Sequence, residues 1–258
     1  MGVINATPDS FSDDGTGDDH DRAATLARSF EEAGADIIDV GAESSRPGGE
    51  GIDAREELRR LLPALAKIRA ATGLPISVDT WRASVAQAAL EAGADVINDI
   101  HGFRRDPAIA GVAAHTGAPA VLMHNQRGLP FHDVIGDVRA GFDASLRVAR
   151  DAGIDPARLV LDPGFGFGWT VGQNLELVRR LFELGAYELP LLVGVSRKST
   201  LGAVVDLPVE RRRDATAAAV AMCVAAGVDI VRVHDVAEMS TVVRMADAIA
   251  RGTWRDPA

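Results

Sequence analysis

The stretch Ala33-Gly34-Ala35-Asp36-Ile37-Ile38-Asp39-Val40 decides the fold. A helical segment closes on Ala-Gly, where glycine supplies a left-handed cap and turns the chain tightly. A short β-branched run follows at once, with the pattern of a strand buried on both faces. The arrangement returns at Ala92-Gly93-Ala94-Asp95 and at Ala226-Gly227-Val228-Asp229, and Gly153 ahead of Arg158–Leu161 fits it. Apolar runs of this kind lie at 2–6, 36–40, 75–78, 95–97, 118–123, 158–161, 189–193 and 229–233. Between them the spacing predicts helices at 21–34, 53–71, 82–93, 106–116, 137–152, 171–185, 210–226 and 235–251. Eight strand–helix units in 258 residues predict an α/β fold, a (β/α)8 TIM barrel forming a single domain over 1–258. A doubly wound open sheet is the alternative. It usually has fewer strands, and no Gly-x-Gly-x-x-Gly follows the opening run.

Composition narrows the class. Hydrophobic residues at 47% and charged residues at 25% are those of a soluble globular chain. Aromatics are only 5%, so the core is built from Ala, Val, Ile and Leu. Cys223 is the one cysteine, which excludes an internal disulfide and a cysteine zinc cage. No apolar run approaches the ~18 residues of a membrane span. The N-terminus lacks a signal-peptide pattern, so a cytoplasmic location is expected, without a membrane partner. A net charge of −10 argues against nucleic acid, which needs a basic face. It leaves room for an anionic small molecule held by a few local cations.

Each predicted strand delivers a polar group at its C-terminal end: Asn5, Asp39, Asp79, Asn98-Asp99, His124, Asp162, Ser196-Arg197-Lys198, and Arg232 with His234. A single Asp or Asn after a strand is ordinarily a helix cap or turn former. Eight strands doing so describes a barrel mouth, where active sites lie. Its mixture of cations, carboxylates and amides suits an anion and a heterocycle.

The motifs at these ends resemble those of the dihydropteroate synthase family. They are Met1–Asp13 (MGVINATPDSFSD), Gly34–Gly48 (GADIIDVGAESSRPG), Ser77-Val78-Asp79-Thr80, Asn98-Asp99-Ile100, Asp162–Gly168 (DPGFGFG), Gly194–Ser199 (GVSRKS) and Arg232-Val233-His234-Asp235. They run in family order over nearly the whole chain. The resemblance implies a (β/α)8 enzyme of folate biosynthesis that joins 6-hydroxymethyl-7,8-dihydropterin diphosphate to p-aminobenzoate and releases pyrophosphate. It also implies sulfonamide competition with p-aminobenzoate, and a homodimer.

Carried onto this chain, the resemblance implies that Asp162 accepts hydrogen bonds from the pterin edge, with Asn98 and Asp79 beside it. Lys198 donates to the pterin carbonyl or ring nitrogen, and Arg232 stacks on the ring while facing phosphate. Asn5, Arg232 and His234 meet the departing pyrophosphate, and Mg2+ bridges its oxygens with Asn5 as a donor. Lys198, Arg232 and Asp79 are the expected catalytic residues. Ser45 and Pro47 of the second loop, together with Phe165, are expected around p-aminobenzoate, and Arg46 is expected either to meet the phosphate or to shape that pocket. The amine of that substrate is already unprotonated at neutral pH, so no strong general base is required.

His20, His101, His115 and His132 lack metal-ligand spacing and read as surface or loop residues. Cys223 reads as core, and Arg211-Arg212-Arg213 as an interface or solvated stretch. Trp169, Asp14 and Asn125-Gln126-Arg127 depart from the family pattern, and Trp169 is expected at the pocket rim. A pterin-binding methyltransferase domain should lack the opening-loop and Ser-Ser-Arg-Pro signatures present here. A non-catalytic paralogue should have lost the pyrophosphate ligands.

Overall fold

In the computed structural model, residues 1–7, 15–44 and 51–254 are described. The apolar runs form eight parallel strands: β1 (Gly2–Asn5), β2 (Ile38–Gly41), β3 (Ile76–Asp79), β4 (Val96–Asp99), β5 (Ala120–Met123), β6 (Leu159–Asp162), β7 (Leu192–Val193) and β8 (Ile230–Val231). Strands β1 to β6 make one sheet in chain order, and β7 pairs with β8. Single bridges, Leu161↔Leu191 and Gly2↔Val233, join the two pieces at both edges. At these seams the Leu161 N–H donates to Pro190 O at 2.9 Å and the Val3 N–H to Val233 O at 3.0 Å. The ring therefore closes as a (β/α)8 barrel.

Helices α1 (His20–Glu32), α2 (Ala54–Ala71), α3 (Ala83–Glu91), α4 (Ala108–Thr116), α5 (Val134–Asp151), α6 (Val171–Arg179), α7 (Ser199–Val205), α8 (Arg213–Ala225) and α9 (Val236–Ala250) surround it. Two helix expectations are corrected. The 171–185 segment breaks after α6 into a 3-10 turn at Leu181–Tyr187, where Gly185 weakens a continued α-helix. The short α7 went unpredicted, since seven residues are too few for a helical period to show. Outside the strands, Ile4, Ile38, Ile76 and Ile97 pack without solvent exposure in one core with Leu61, Leu65 and Ile68 of α2.

Inside the ring a separate apolar cluster holds Met1, Val121 and Leu192, with Ile37, Val96, Val160 and Ile230 packed against it. Side chains alternate along a strand, so the next inward residue lies two positions on. From this plug those residues are Asp39, Asn98, Met123, Asp162, Gly194 and Arg232. One step along the pleat thus changes the interior from aliphatic to ionic, and the fold puts that change at the C-terminal mouth.

Candidate active site

Arg232 stands at the centre of the ionic layer. Its Nε donates to Asp39 Oδ2 at 2.7 Å, and its Nη2 reaches Asp39 Oδ2 at 2.6 Å and Asp79 Oδ2 at 3.1 Å. The Asn98 amide donates to both Asp39 oxygens, at 3.2 and 3.3 Å. Asp39 is fully buried, so these partners offset the cost of removing its charge from water. Gly194 leaves room for the arginine: a Cβ there would stand 3.7 Å from Arg232 Cβ. Burial pushes the Asp79 carboxyl up to about 7; Arg232 pulls it down, and Asp39 pushes it further up. Asp39 was not among the expected site residues. The signal was available, as a carboxylate inside an apolar run at an inward position.

The loop after β6 uses glycine for two separate purposes. Gly164, Gly166 and Gly168 have φ of +74°, +82° and +90°, which glycine adopts without the strain other residues incur. They also permit close approach. A Cβ on Gly164 would fall 1.9 Å from His124 O, and one on Gly168 would fall 2.5 Å from Arg127 N. Asp162 Oδ1 accepts from Gly164 N at 2.8 Å, and Asn174 Oδ1 accepts from Gly166 N at 2.6 Å. The folded loop turns the Phe165 carbonyl toward Lys198 Nζ, which donates to it.

One aromatic expectation is corrected here: Trp169 is buried rather than at the rim, its ring 5.6 Å from that of His124. Phe165 is 1% exposed and packs against the core, with Lys198 Nζ 5.7 Å from its ring centre. Phe167, which was not among the expected residues, is the more open ring of this loop, with Lys198 Nζ 4.6 Å and the Arg127 guanidinium 4.5 Å from its centre. The difference in exposure between the two phenylalanines depends on loop geometry that strand periodicity does not reach.

Lys198 comes from the turn between β7 and α7. Its neighbour Arg197 has φ +56° and turns away to Asp235, with Nε donating to Oδ2 at 3.0 Å. Arg212 braces this turn, donating to Arg197 O and Leu207 O, each at 3.0 Å. That corrects its reading as interfacial or solvated. Burial pushes the Lys198 ammonium down to about 7, with Asp162 opposing and Arg232 and Arg127 adding to the shift. Burial likewise pushes Asp162 up to about 6, against the pull of Lys198 and the Gly164 N–H. The half-buried His234 places Nδ1 3.0 Å from Ser196 Oγ.

Asn5 is half-buried at the end of β1. Its main-chain carbonyl accepts from Thr16 N at 2.8 Å, which leaves the side-chain oxygen as the hard donor there. Ser45, Arg46 and Pro47, and the departure at Asp14, lie outside the described residues. Cys223 is buried as expected. His101, read as a surface or loop residue, lies in the turn after β4 and is half-buried beside the mouth.

The assembled layer offers fixed carboxylate and amide acceptors, an ammonium near neutrality and a guanidinium held by two carboxylates. Such a set grips a flat, hydrogen-bonding heterocycle and stabilises negative charge leaving from it. The comparisons with known proteins agree in kind. A family model described as pterin binding enzyme matches residues 1–234. The chain is 43% identical to the dihydropteroate synthase of Bacillus subtilis (strain 168) over 249 residues, covering 96% of this chain and 87% of that protein. It superposes on a dihydropteroate synthase from Clostridium difficile, solved in the presence of pteroic acid. The TM-score is 0.92 at 43% identity, over 97% of this chain and 96% of the other. A Xanthomonas albilineans dihydropteroate synthase solved with 4-aminobenzoic acid gives a TM-score of 0.90 at 38% identity, over 96% and 92% of the two chains.

Proposed function

The chain belongs to the pterin-binding enzyme family, among its dihydropteroate synthases, and from that premise we propose how its barrel mouth carries out the reaction. The reaction moves a pterinylmethyl group from the pterin diphosphate to the amine of p-aminobenzoate, giving 7,8-dihydropteroate and pyrophosphate. The observation that carries the assignment of roles is the Asp39–Arg232–Asp79 bridge, with Asp162 and Lys198 near enough to it and to each other that their charges interact.

Asp162 accepts from the amino edge of the pterin, and Asn98 and Asp79 meet its remaining groups. Lys198 donates to the ring carbonyl or nitrogen from a position fixed by the Phe165 carbonyl. Arg232 cannot swing, because Asp39 and Asp79 hold its two nitrogens, so one face of its plane stays available to stack on the ring. The C–O bond to the diphosphate breaks ahead of attack, leaving a pterin cation that the aniline nitrogen captures. Loss of a proton from that nitrogen completes the product. Arg232, His234 and Asn5 stabilise the departing anion.

Mg2+ fits this set only as a substrate-borne ion. Among the described residues no group of three or more His, Cys, Asp or Glu side chains could cage a metal. A hard cation that keeps most of its water suits one amide oxygen, that of Asn5. Bound there through the phosphates, it would neutralise charge on the leaving group. Ser45, Arg46 and Pro47 are assigned to the p-aminobenzoate side with Phe165, and the site lies in a single domain. Exposed Met222, Met245 and Ile249 on α8 and α9 support a homodimer. Among the described residues no helix is long and apolar enough to cross a membrane, which is consistent with a cytoplasmic location.

The test is an assay with Mg2+, pterin diphosphate and p-aminobenzoate. Dihydropteroate and pyrophosphate should form in equal amounts, with sulfonamide competing against p-aminobenzoate. Folded protein that makes no dihydropteroate above background would overturn the assignment.

A further inference from the structure

A cavity of about 720 Å³ opens beside Asp79 on the β3–β5 side of the mouth. Its wall carries four arginines, Arg82, Arg104, Arg105 and Arg127, and two carboxylates, Glu43 and Asp79. One arginine is spoken for: Arg82 pairs with Glu43 at 2.8 Å and with buried Glu57. Asp79 is bridged by Arg232. Arg104 and Arg105 make no ion pair with any carboxylate among the described residues. Arg104 Nε donates to His101 O at 3.1 Å, and Arg105 lies 3.9 Å from the centre of the Trp81 ring. The adjacent Asp106 is turned elsewhere, accepting from Ala83 N at 2.8 Å and Ala108 N at 3.3 Å.

The turn that presents these arginines is fixed at some cost to the backbone. Gly102 and Phe103 are both left-handed, with φ of +57° and +63°. For phenylalanine this conformation is strained and persists only where its surroundings dictate it. Here they do. The Phe103 side chain is fully buried, and Asp99 accepts from His101 N at 2.8 Å and from Phe103 N at 2.7 Å. A Cβ on Gly102 would fall 2.4 Å from Ser145 Oγ and 3.0 Å from Met123 O, so a larger residue is strained there. Half-buried His101 senses the result: burial, then Arg105, Arg104 and Arg127, push it down to about 4. It stays neutral, and the wall remains a net cationic surface on a chain of net charge −10.

We propose that this cavity is a second anion site, distinct from Asn5, Arg232 and His234, which takes the diphosphate group of the pterin substrate on its way in and pyrophosphate on its way out. The inference rests on the reading of the mouth as a pterin diphosphate site. Its chemistry is that of a guanidinium pair meeting phosphate oxygens. An acidic protein gains most from such a local funnel, because its overall field opposes a polyanionic substrate.

Inorganic pyrophosphate is the probe, and Trp81 the reporter, because Arg105 stacks on it. Pyrophosphate should change the tryptophan fluorescence of the wild-type chain, and Trp81→Phe should abolish that change. The double variant Arg104→Gln/Arg105→Gln should bind pyrophosphate at least about tenfold more weakly, since two charge-assisted contacts are lost. It should raise KM for the pterin diphosphate and leave kcat and KM for p-aminobenzoate unchanged. The rise should shrink from roughly 0.02 M to roughly 0.5 M salt, as screening shortens the reach of the charges. Undiminished pyrophosphate binding by the folded double variant, or an unchanged KM for the pterin diphosphate, would overturn the proposal. Absence of dihydropteroate formation by the wild type, with the binding pattern intact, would instead remove the assigned reaction and leave the anion site standing.

Discussion

Inside the barrel, Ile37, Val96, Val160 and Ile230 sit two residues below Asp39, Asn98, Asp162 and Arg232 on the same four strands. The lower set is held by burial of aliphatic surface and makes no demand on its neighbours beyond shape. The upper set is held by charge pairing, in which each group depends on a particular partner. Arg232 lies 193 residues from Asp39 and 153 from Asp79, so its ion pairs form only when the ring closes. Closure at the β1–β8 seam has few backbone bonds of its own. The comparison teaches that the lower layer stabilises the barrel generally, whereas the upper layer couples closure to assembly of the site.

The most severe way to break this division is Arg232→Met. Among the described residues it leaves Asp39, fully buried, with only the Asn98 amide as a side-chain partner. Removing one partner of a buried pair costs about 3–5 kcal/mol, and turnover should fall by at least about 100-fold. Urea melts and dihydropteroate formation measure the two losses. Adding Asp39→Asn removes the stranded charge and should return much of the stability without the activity. If the double variant melts as low as the single one, the stability loss has another source.

Leu192→Ala tests the lower layer alone. Leu192 is fully buried in the plug, and its truncation should cost about 2–5 kcal/mol, depending on how far the cavity collapses. Its kcat at a temperature where the variant is folded should stay within about threefold of wild type. A large kcat loss in folded protein would show that the plug sets the geometry above it, and would erase the distinction between the layers.

The pH dependence sharpens the contrast further, because the titrating groups assigned to the pterin lie in the upper layer. Asp162 must be ionised to accept from the pterin edge and gains a proton below about 6. Lys198 must be protonated to donate and loses its proton above about 7. The kcat/KM for the pterin diphosphate should therefore be bell-shaped with limbs near these values, each falling up to about tenfold per pH unit. The two groups interact, so the limbs belong to the pair. In Lys198→Met the acid limb should move up, because the ammonium that lowers Asp162 is gone. Stability follows with the opposite sign for each group. Asp162 is raised from 3.8, so its burial cost is present above about 6 and is relieved as pH falls. Lys198 is lowered from 10.5, so its cost is present below about 7 and is relieved as pH rises. The charged state needed for binding is thus the one that costs the fold most. A flat profile across this range would separate activity from the pair.

Much of this was legible in the chain, and for identifiable reasons. Continuous β-branched runs bounded by Ala-Gly marked the strands, and position at a strand end marked Asp79, Asn98, Asp162, Lys198 and Arg232. Asp39 was marked in the same way, as a polar strand end, but was given no role, because its pairing with Arg232 across 193 residues exists only once the ring closes. Phe167 went unnamed beside Phe165 because the DPGFGFG loop follows glycine geometry instead of a strand period. Nothing in the sequence set Arg104 and Arg105 apart, since their common cavity exists only after Gly102 and Phe103 turn left-handed. Strand identity is local information, whereas loop direction depends on what packs beneath it.

Ser77→Ala makes the smallest and most discriminating change. Ser77 pairs in register with Asp39, so it belongs to the upper layer, yet it is fully buried and its Oγ has no protein hydrogen-bond partner. If the upper layer works through specific pairs, a hydroxyl outside every pair contributes little. A buried polar group without a protein partner adds desolvation cost, so its removal should leave stability unchanged or raise it by up to about 1 kcal/mol. The kcat/KM should stay within about twofold. A fall of about tenfold or more with an unchanged melt would make Ser77 a further group in contact with the pterin. The ionic layer would then extend to a polar position that none of its ion pairs engages.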